Sequence, residues 1–199
     1  MLIDSWMEEM ALSHSIGDVM RRKLRDGCDV LIGNCLDTLK TLPDESIHCC
    51  ITSPPYYGLR DYGGEDEQIG LEDSPEQFIK KLVDVFREVK RVLHPSGTLW
   101  VNIGDTYCGT GHKGGHQDPK HKQGRNGQKV AKNNKLEGYK SKDLIGIPWM
   151  LAFALRADGW YLRQDIIWHK KAVMPESVKD RCTKSHEYIF LLSKSKKYF

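Results

Sequence analysis

Ile47-His48-Cys49-Cys50-Ile51-Thr52-Ser53-Pro54-Pro55-Tyr56 is the stretch whose reading decides the fold. Its first six residues form a short apolar run, the composition of a buried strand, in which Cys49 and Cys50 are expected as small core residues. Two prolines then stop the strand, since each fixes φ and removes a backbone donor. A strand that ends abruptly in a stiff loop fits a parallel α/β sheet, whose ligands bind at the carboxyl edge.

The flanking sequence extends that pattern. Upstream, Asp29 to Gly33 reads as a short buried strand and Leu36 to Leu42 as a short helix stopped by Pro43 and Asp44. Downstream, Ser74-Pro75-Glu76-Gln77 is a helix start, with Ser74 as cap, Pro75 at the first helical position and Gln77 placed to complete a capping box. Phe78, Ile79, Leu82, Val83, Phe86, Val89 and Leu93 follow at helical spacing. His94-Pro95-Ser96-Gly97 reads as a turn, Thr98 to Ile103 as a strand, and Ile147 to Ala157 as a helix stopped by Asp158-Gly159. Tyr161 to Trp168 and Tyr188 to Leu192 read as two further strands, and the first dozen residues as a helix. Strands alternating with helices predict βαβ units and a mainly parallel sheet.

At 199 residues the chain has the length of one domain and buries a core without metal or disulfides. The start, Met1 to His14, carries acids and no apolar signal-peptide core. No stretch approaches the roughly 18 apolar residues of a membrane span. Six cysteines without a C-x-x-C pair complete the expectation of a reducing, cytoplasmic setting. The net charge of +3 is mild, but between Lys113 and Lys142 nine cations meet only Asp118 and Glu137. That run, rich in Gly, Asn and Gln, is expected to be a solvated, mobile loop.

Thr52 to Tyr56 carries the chemistry. The loop offers a hydroxyl, carbonyls with no neighbouring N–H to compete for them, and an aromatic face. That set suits an exocyclic amine on a flat ring. Such an amine donates hydrogen bonds, and its lone pair is delocalised into the ring. Acceptors gripping both N–H groups favour pyramidal nitrogen and expose the lone pair to a methyl donor. The product nitrogen is cationic and acidic, so no strong base is needed.

The segment Gly33 to Tyr56 resembles the start of the N4-cytosine and N6-adenine DNA methyltransferases, whose catalytic signature is Ser, Asn or Asp followed by Pro-Pro-Tyr. The resemblance continues through Glu88–Asp105 and through Gly159–Ser195. It implies a Rossmann-like, S-adenosylmethionine (SAM)-dependent methyltransferase fold, incomplete in this chain, with residues 1–28 as an N-terminal extension and 29–199 as the catalytic region, including a basic loop at 107–142. By that resemblance Ser53 and the Pro54 carbonyl hold the target amine, Pro55 stiffens the loop, and Tyr56 stacks on a flipped base. The Gly-Asp pair of the family's cofactor site stands here as Gly33-Asn34, followed by Cys35; Asn34 keeps an acceptor oxygen and loses the charge. Asp105 is expected to line the same cleft. The Ser version of the signature implies N4 of cytosine in double-stranded DNA, within restriction–modification, with N6-adenine or a non-catalytic binding fragment as alternatives. The family's glycine-rich SAM loop is expected on a C-terminal or second-chain portion. Arg181, Lys184, His186 and Glu187 fall in a matching block, and the resemblance gives them no chemical role.

Three further patterns are set aside. Gly109 to Gly114 matches G-x-G-x-x-G but is followed by Gly115-His116-Gln117-Asp118-Pro119 rather than an apolar helix. Cys108, His112, His116 and His121 fit no standard zinc spacing, so no metal is expected. No Pro-Cys pair exists for C5-cytosine chemistry.

Overall fold

The computed structural model describes residues 19–25, 27–59, 68–109, 136–173, 176 and 178–198. The N-terminal helix expected in the first dozen residues, most of the basic stretch, His112, His116 and His121, and all of the G-x-G-x-x-G segment after Gly109 lie outside the described residues. In chain order the elements are β1 (Met20–Arg25), β2 (Cys28–Ile32), α1 (Cys35–Lys40), β3 (Ile47–Thr52), α2 (Pro75–Val92), β4 (Leu93–Ile103), α3 (Ile147–Ala157), β5 (Tyr161–His169) and β6 (His186–Ser193).

β3, β4, β6 and β5 form one four-stranded sheet in that order, while β1 and β2 form a separate antiparallel pair. The strand expected at Asp29–Gly33 is thus a half-buried hairpin arm, and its partner comes from before residue 29. β3 pairs with β4 in parallel, whereas β6 runs antiparallel to both β4 and β5. Three of the four strands therefore point the same way, as the βαβ reading requires. The expectation of a mainly parallel sheet is corrected only at the level of pairing, where β6 is inserted against the grain. Parallel neighbours need a crossover, usually a helix. α2 and α3 supply crossovers after β3 and β4, but no helix is described between β5 and β6, and the chain returns reversed.

α2 forms because Ser74 caps it, accepting from Gln77 N at 3.3 Å, and Pro75 begins it. Its stripe of Phe78, Ile79, Leu82, Val83, Phe86 and Val89 is buried. Each such side chain contributes about 1.5–3 kcal/mol on burial, so packing rather than propensity holds this helix. It packs with α3, through Ile147, Leu151 and Leu155, on the face of the sheet carrying Leu99, Val101, Ile103, Phe190 and Leu192. The opposite face is much less covered: Ile51 is 80% exposed and Trp168 51%. Cys49 is exposed, which corrects its expected core role, whereas Cys50 is half-buried and packs against the core. β3 has a neighbour on one side only among the described residues, so its outer side chains find no cover.

The turn expected at His94–Gly97 lies inside β4. Ile47 pairs with Leu93 and Cys49 with Thr98, so four residues of β4 face only His48. They bulge outward, and a Cβ on Gly97 would come within 3.0 Å of the carbonyls of His48 and His94. The turn residues therefore act as a bulge rather than a strand end. The basic stretch also needs correction at its end. Leu136 is buried in the core and Tyr139 donates to Glu76 Oε1 at 3.1 Å, so residues 136–142 are not simply solvated.

Candidate functional site

β3, β4 and β5 end on one edge, and β6, running oppositely, begins there. Ser53 to Tyr56 follow β3, Gly104 and Asp105 follow β4, Lys170 follows β5, and Glu187 is the second residue of β6. Of these, Tyr56, Gly104, Asp105, Lys170 and Glu187, together with Lys184, line a cavity of about 270 Å³, whereas Ser53, Pro54 and Pro55 are not among its lining residues.

Pro54 is buried, whereas Ser53 and Pro55 are exposed and Tyr56 is half-buried. Asn102, on β4, sits at the centre of a hydrogen-bond network. Its Nδ2 donates to the Tyr188 carbonyl at 3.1 Å, which turns Oδ1 toward the loop. That oxygen accepts from Tyr56 Oη at 3.1 Å and from Ser53 Oγ at 3.4 Å, the latter long for a hydroxyl bond. Tyr56 Oη lies equally close, 3.1 Å, to Glu187 Oε2. Glu187 in turn forms an ion pair with Lys170 Nζ through its other oxygen. The Tyr56 ring rests on Gly104: a Cβ there would fall 2.5 Å from Cε2 and 2.9 Å from Cδ2. Glycine at 104 is thus required by the close approach of the ring.

The titration of these groups follows from their surroundings. Burial pushes the Tyr56 phenol up, the hydrogen bond with Ser53 opposes this, and the Glu187 charge adds to the rise. Burial also acts to raise Glu187, but the hydrogen bond and charge of Lys170, with help from Tyr56 and Asn102, outweigh it and hold the carboxyl below its usual range. The site therefore presents a neutral phenol beside an ionised carboxylate at neutral pH. Tyr57 belongs to the core instead: it is buried against Phe78, ring centroids 5.4 Å apart, and burial with nearby acids pushes its phenol up to about 12.

The four residues expected at the cofactor are not brought together. Asp105 lines the cavity, but its carboxylate is engaged by backbone. Oδ1 accepts from Thr106 N at 2.9 Å, Gly146 N at 3.0 Å and Ile147 N at 3.0 Å. Gly146, with φ 87°, has no side chain to cap α3, so Asp105 caps it from the end of β4. Gly33, Asn34 and Cys35 lie exposed at the head of α1 and are not among the residues lining the cavity. Asn34 uses its Oδ1 to accept from Leu36 N at 2.9 Å. Burial raises the Cys35 thiol, so it stays protonated at neutral pH.

The base of the basic stretch is tied beside the cavity. Cys108 N donates to the Asp143 carbonyl and Lys142 N to the Cys108 carbonyl, both at 2.8 Å, and Tyr107 bridges Leu144. Arg181 stacks over the Tyr107 ring at 4.0 Å and pairs with Glu176. Among the described residues no His, Cys, Asp and Glu cluster is arranged to hold a metal.

Reading the sequence missed Asn102, Lys170 and Glu187 as site residues. Asn102 stood in an apolar strand, and Lys170 just beyond the end of one. Their partners lie 17 to 131 positions away, so no local spacing marks them. One usable signal existed: Asn102 is a polar residue inside an apolar run.

Residues 47–199 match the family model described as DNA methylase, N6/N4 type. The chain is 55% identical over 174 residues to the type II methyltransferase M.Cfr9I of Citrobacter freundii, a match covering 87% of this chain and 57% of that protein. It is 53% identical over 173 residues to the type II methyltransferase M.SmaI of Serratia marcescens, covering 86% of this chain and 58% of that one. The chain thus spans little more than half the length of these relatives. Among solved structures, PvuII DNA methyltransferase (cytosine-N4-specific) superposes with a TM-score of 0.56 over 84% of this chain and 49% of that chain, at 18% identity. That likeness is one of fold: the α/β fold of a methyltransferase, present here in part.

Proposed function

Because the chain belongs to the N6/N4 DNA methylase family, we propose that it carries the base-binding and catalytic part of a DNA methyltransferase. Its reaction is transfer of a methyl group from SAM to the exocyclic N4 of cytosine in double-stranded DNA, in a cytoplasmic restriction–modification system. The observation that carries this reading is the hydrogen-bonded cluster of Ser53 and Tyr56, on the loop after β3, with Asn102 of β4.

The target amine brings two N–H donors and needs two acceptors. Ser53 can be one only if its own hydrogen is directed elsewhere, and Asn102 Oδ1 is placed to take it. The serine lone pairs then face the amine. The Pro54 carbonyl is the second acceptor. With both N–H groups held, the nitrogen lone pair leaves conjugation with the ring. Tyr56 offers an aromatic surface for the flipped base, and such stacking is worth about 1–3 kcal/mol. SAM supplies an electrophilic methyl on its sulfonium. Gly33, Asn34 and Cys35, exposed at the head of α1, are the residues of this chain open to that cofactor, whereas Asp105 is spent on α3.

The remainder of the cofactor site, with its glycine-rich loop, is assigned to a C-terminal or second-chain portion. Two observations support this. About two fifths of each matched relative lies outside the matched region. The outer edge of β3 is unpaired among the described residues, with Ile51 exposed beside it. Charge supports duplex DNA as the partner: residues 110–135 hold seven Lys or Arg against one Asp, and phosphate neutralisation drives such contacts.

The test is complementation. The chain is mixed with a separately expressed portion of M.Cfr9I beyond the matched region, together with labelled SAM and duplex DNA, and product nucleosides are identified by mass spectrometry. N4-methylcytosine is expected in the mixture and little with the chain alone. Ser53→Ala lowers the single-turnover rate on the order of 100-fold with DNA affinity unchanged, because the acceptor matters in the transition state. N6-methyladenine would move the assignment to adenine. A normal rate in Ser53→Ala would remove the loop from catalysis.

A further inference from the structure

We propose that Glu187 is a positioning residue for Tyr56: its carboxylate, anchored by Lys170, takes the phenol hydrogen and so fixes the ring over Gly104 while leaving the Asn102 amide oxygen to Ser53. This rests on the reading of Ser53 to Tyr56 as the base-binding loop.

Tyr56 has one hydroxyl hydrogen and two acceptors, Asn102 Oδ1 and Glu187 Oε2, each at 3.1 Å. It serves one at a time. A charged acceptor makes the stronger bond, roughly twice a neutral one, so the hydrogen goes to Glu187. The Asn102 oxygen is then free for the Ser53 hydroxyl, the arrangement that makes Ser53 an acceptor toward the amine. Without Glu187 the phenol would turn to Asn102 and compete with Ser53 for the same oxygen.

Geometry limits the alternatives. Asn102 is held by the Tyr188 carbonyl, so its oxygen cannot swing away. Gly104 closes off one side of the ring, and the remaining space belongs to the cavity. Glu187 is itself immobilised, with a side chain only 17% exposed and paired to Lys170. The charged and titratable groups around it are Lys170, Tyr56, Asp105, Glu176, Lys184 and His186, all lining the same cavity. Lys170 is the one in direct ion-pair contact, and it keeps the carboxylate in its accepting, ionised form.

The experiment uses the chain itself, with tyrosines labelled at the ring carbon bearing oxygen and the Tyr56 resonance identified by its loss in Tyr56→Phe. In the unmodified chain the Tyr56 signal should shift as pH falls, with an inflection below the usual carboxylate range that reports Glu187. Lys170→Gln should move that inflection to higher pH. Glu187→Gln should abolish it and lower the pH at which the Tyr56 phenol ionises, while Glu187→Asp keeps a weaker inflection. A flat Tyr56 signal in the unmodified chain overturns the proposal. In the complementation assay, Glu187→Gln should slow methylation at least 10-fold when Tyr56 is present and leave the rate within 2-fold when Tyr56→Phe is already present. An equal loss in both backgrounds shows that Glu187 acts on its own and also overturns it. If no methylation occurs in any variant, the base-binding reading fails, and the resonance still decides whether Glu187 holds Tyr56.

Discussion

Asp105 and Glu187 face one cavity from neighbouring strands, one at the end of β4 and the other at the start of β6. The Asp105 corner is built on backbone: three amides converge on its carboxylate, and those of Gly146 and Ile147 open α3. The Glu187 corner is built on side chains, with Lys170, Tyr56 and Asn102 around the carboxylate. Backbone amides cannot be released without moving a helix, so Asp105 is a structural group that happens to border the cavity. Side-chain partners turn about single bonds, so Glu187 can serve a site that must admit a ligand. Lining a cavity therefore does not by itself make a residue functional; what matters is whether its polar atoms are already committed.

The sharpest way to break that contrast is to remove the two carboxylates in turn. Asp105→Ala strands three amides and uncaps α3. We expect a loss of about 3 kcal/mol, near the top of the range for a lost cap combined with unsatisfied buried donors. For a chain of this size that is a fall in Tm of about 10 °C. Glu187→Gln should cost far less, because Tyr56 keeps Asn102 Oδ1 as an acceptor and Lys170 reaches solvent. Urea unfolding of both variants checks the order. Equal losses would mean that both corners are structural.

Gly104→Ala sharpens the comparison from the ring's side. The added Cβ would overlap Tyr56 at 2.5 Å while leaving Asp105 and Glu187 in place. The ring must shift, and a strained addition of this kind costs about 1–3 kcal/mol in a packed site. Functionally the loss should be larger than the stability change implies, because Tyr56 would leave its position between Asn102 and Glu187. The expected result is a Tm lowered by roughly 2–10 °C, with methylation in the complementation assay reduced at least 10-fold. A normal rate would show that the ring's position is not critical.

The uneven legibility of this molecule has the same origin as the contrast between its corners. α2 was visible because its signals are local: a Ser cap, a Pro at the start, and a stripe at helical spacing all fall within 20 residues. Ile47–Thr52 and Ile147–Ala157 were equally plain for the same reason. The insertion of β6 between β4 and β5 was not visible, since strand order depends on pairings with no sequence spacing of their own. Ser53 to Tyr56 could be read because two prolines give a loop a distinctive chemistry. Asn102, Lys170 and Glu187 could not, because their meaning is a contact across the sheet. Asp105 was read by its place at a strand end, but its carboxylate proved to be directed at Gly146 and Ile147, 41 and 42 residues downstream.

The smallest expected effect is also the most discriminating, because the two carboxylates should shift stability with pH in opposite senses. Burial raises Asp105 above its ordinary value, and the amides and Lys184 only partly offset this. Between its ordinary and folded values the folded chain holds more protons than the unfolded one, so stability falls as pH rises through that window. Glu187 is held low, since Lys170 outweighs burial. Its contribution is fully present above the ordinary glutamate value and is lost as pH falls through the lower, folded value. Asp105→Asn and Glu187→Gln each delete one titration while keeping an acceptor in place. As pH rises through the acid range, the stability of the unmodified chain relative to Asp105→Asn should decline, and its stability relative to Glu187→Gln should climb. Urea midpoints for the three chains, measured side by side at each pH, read both slopes directly. Slopes of the same sign would mean that the two corners do not differ in how they treat charge, and the distinction between a backbone-committed carboxylate and a ligand-facing one would fail on its electrostatic side.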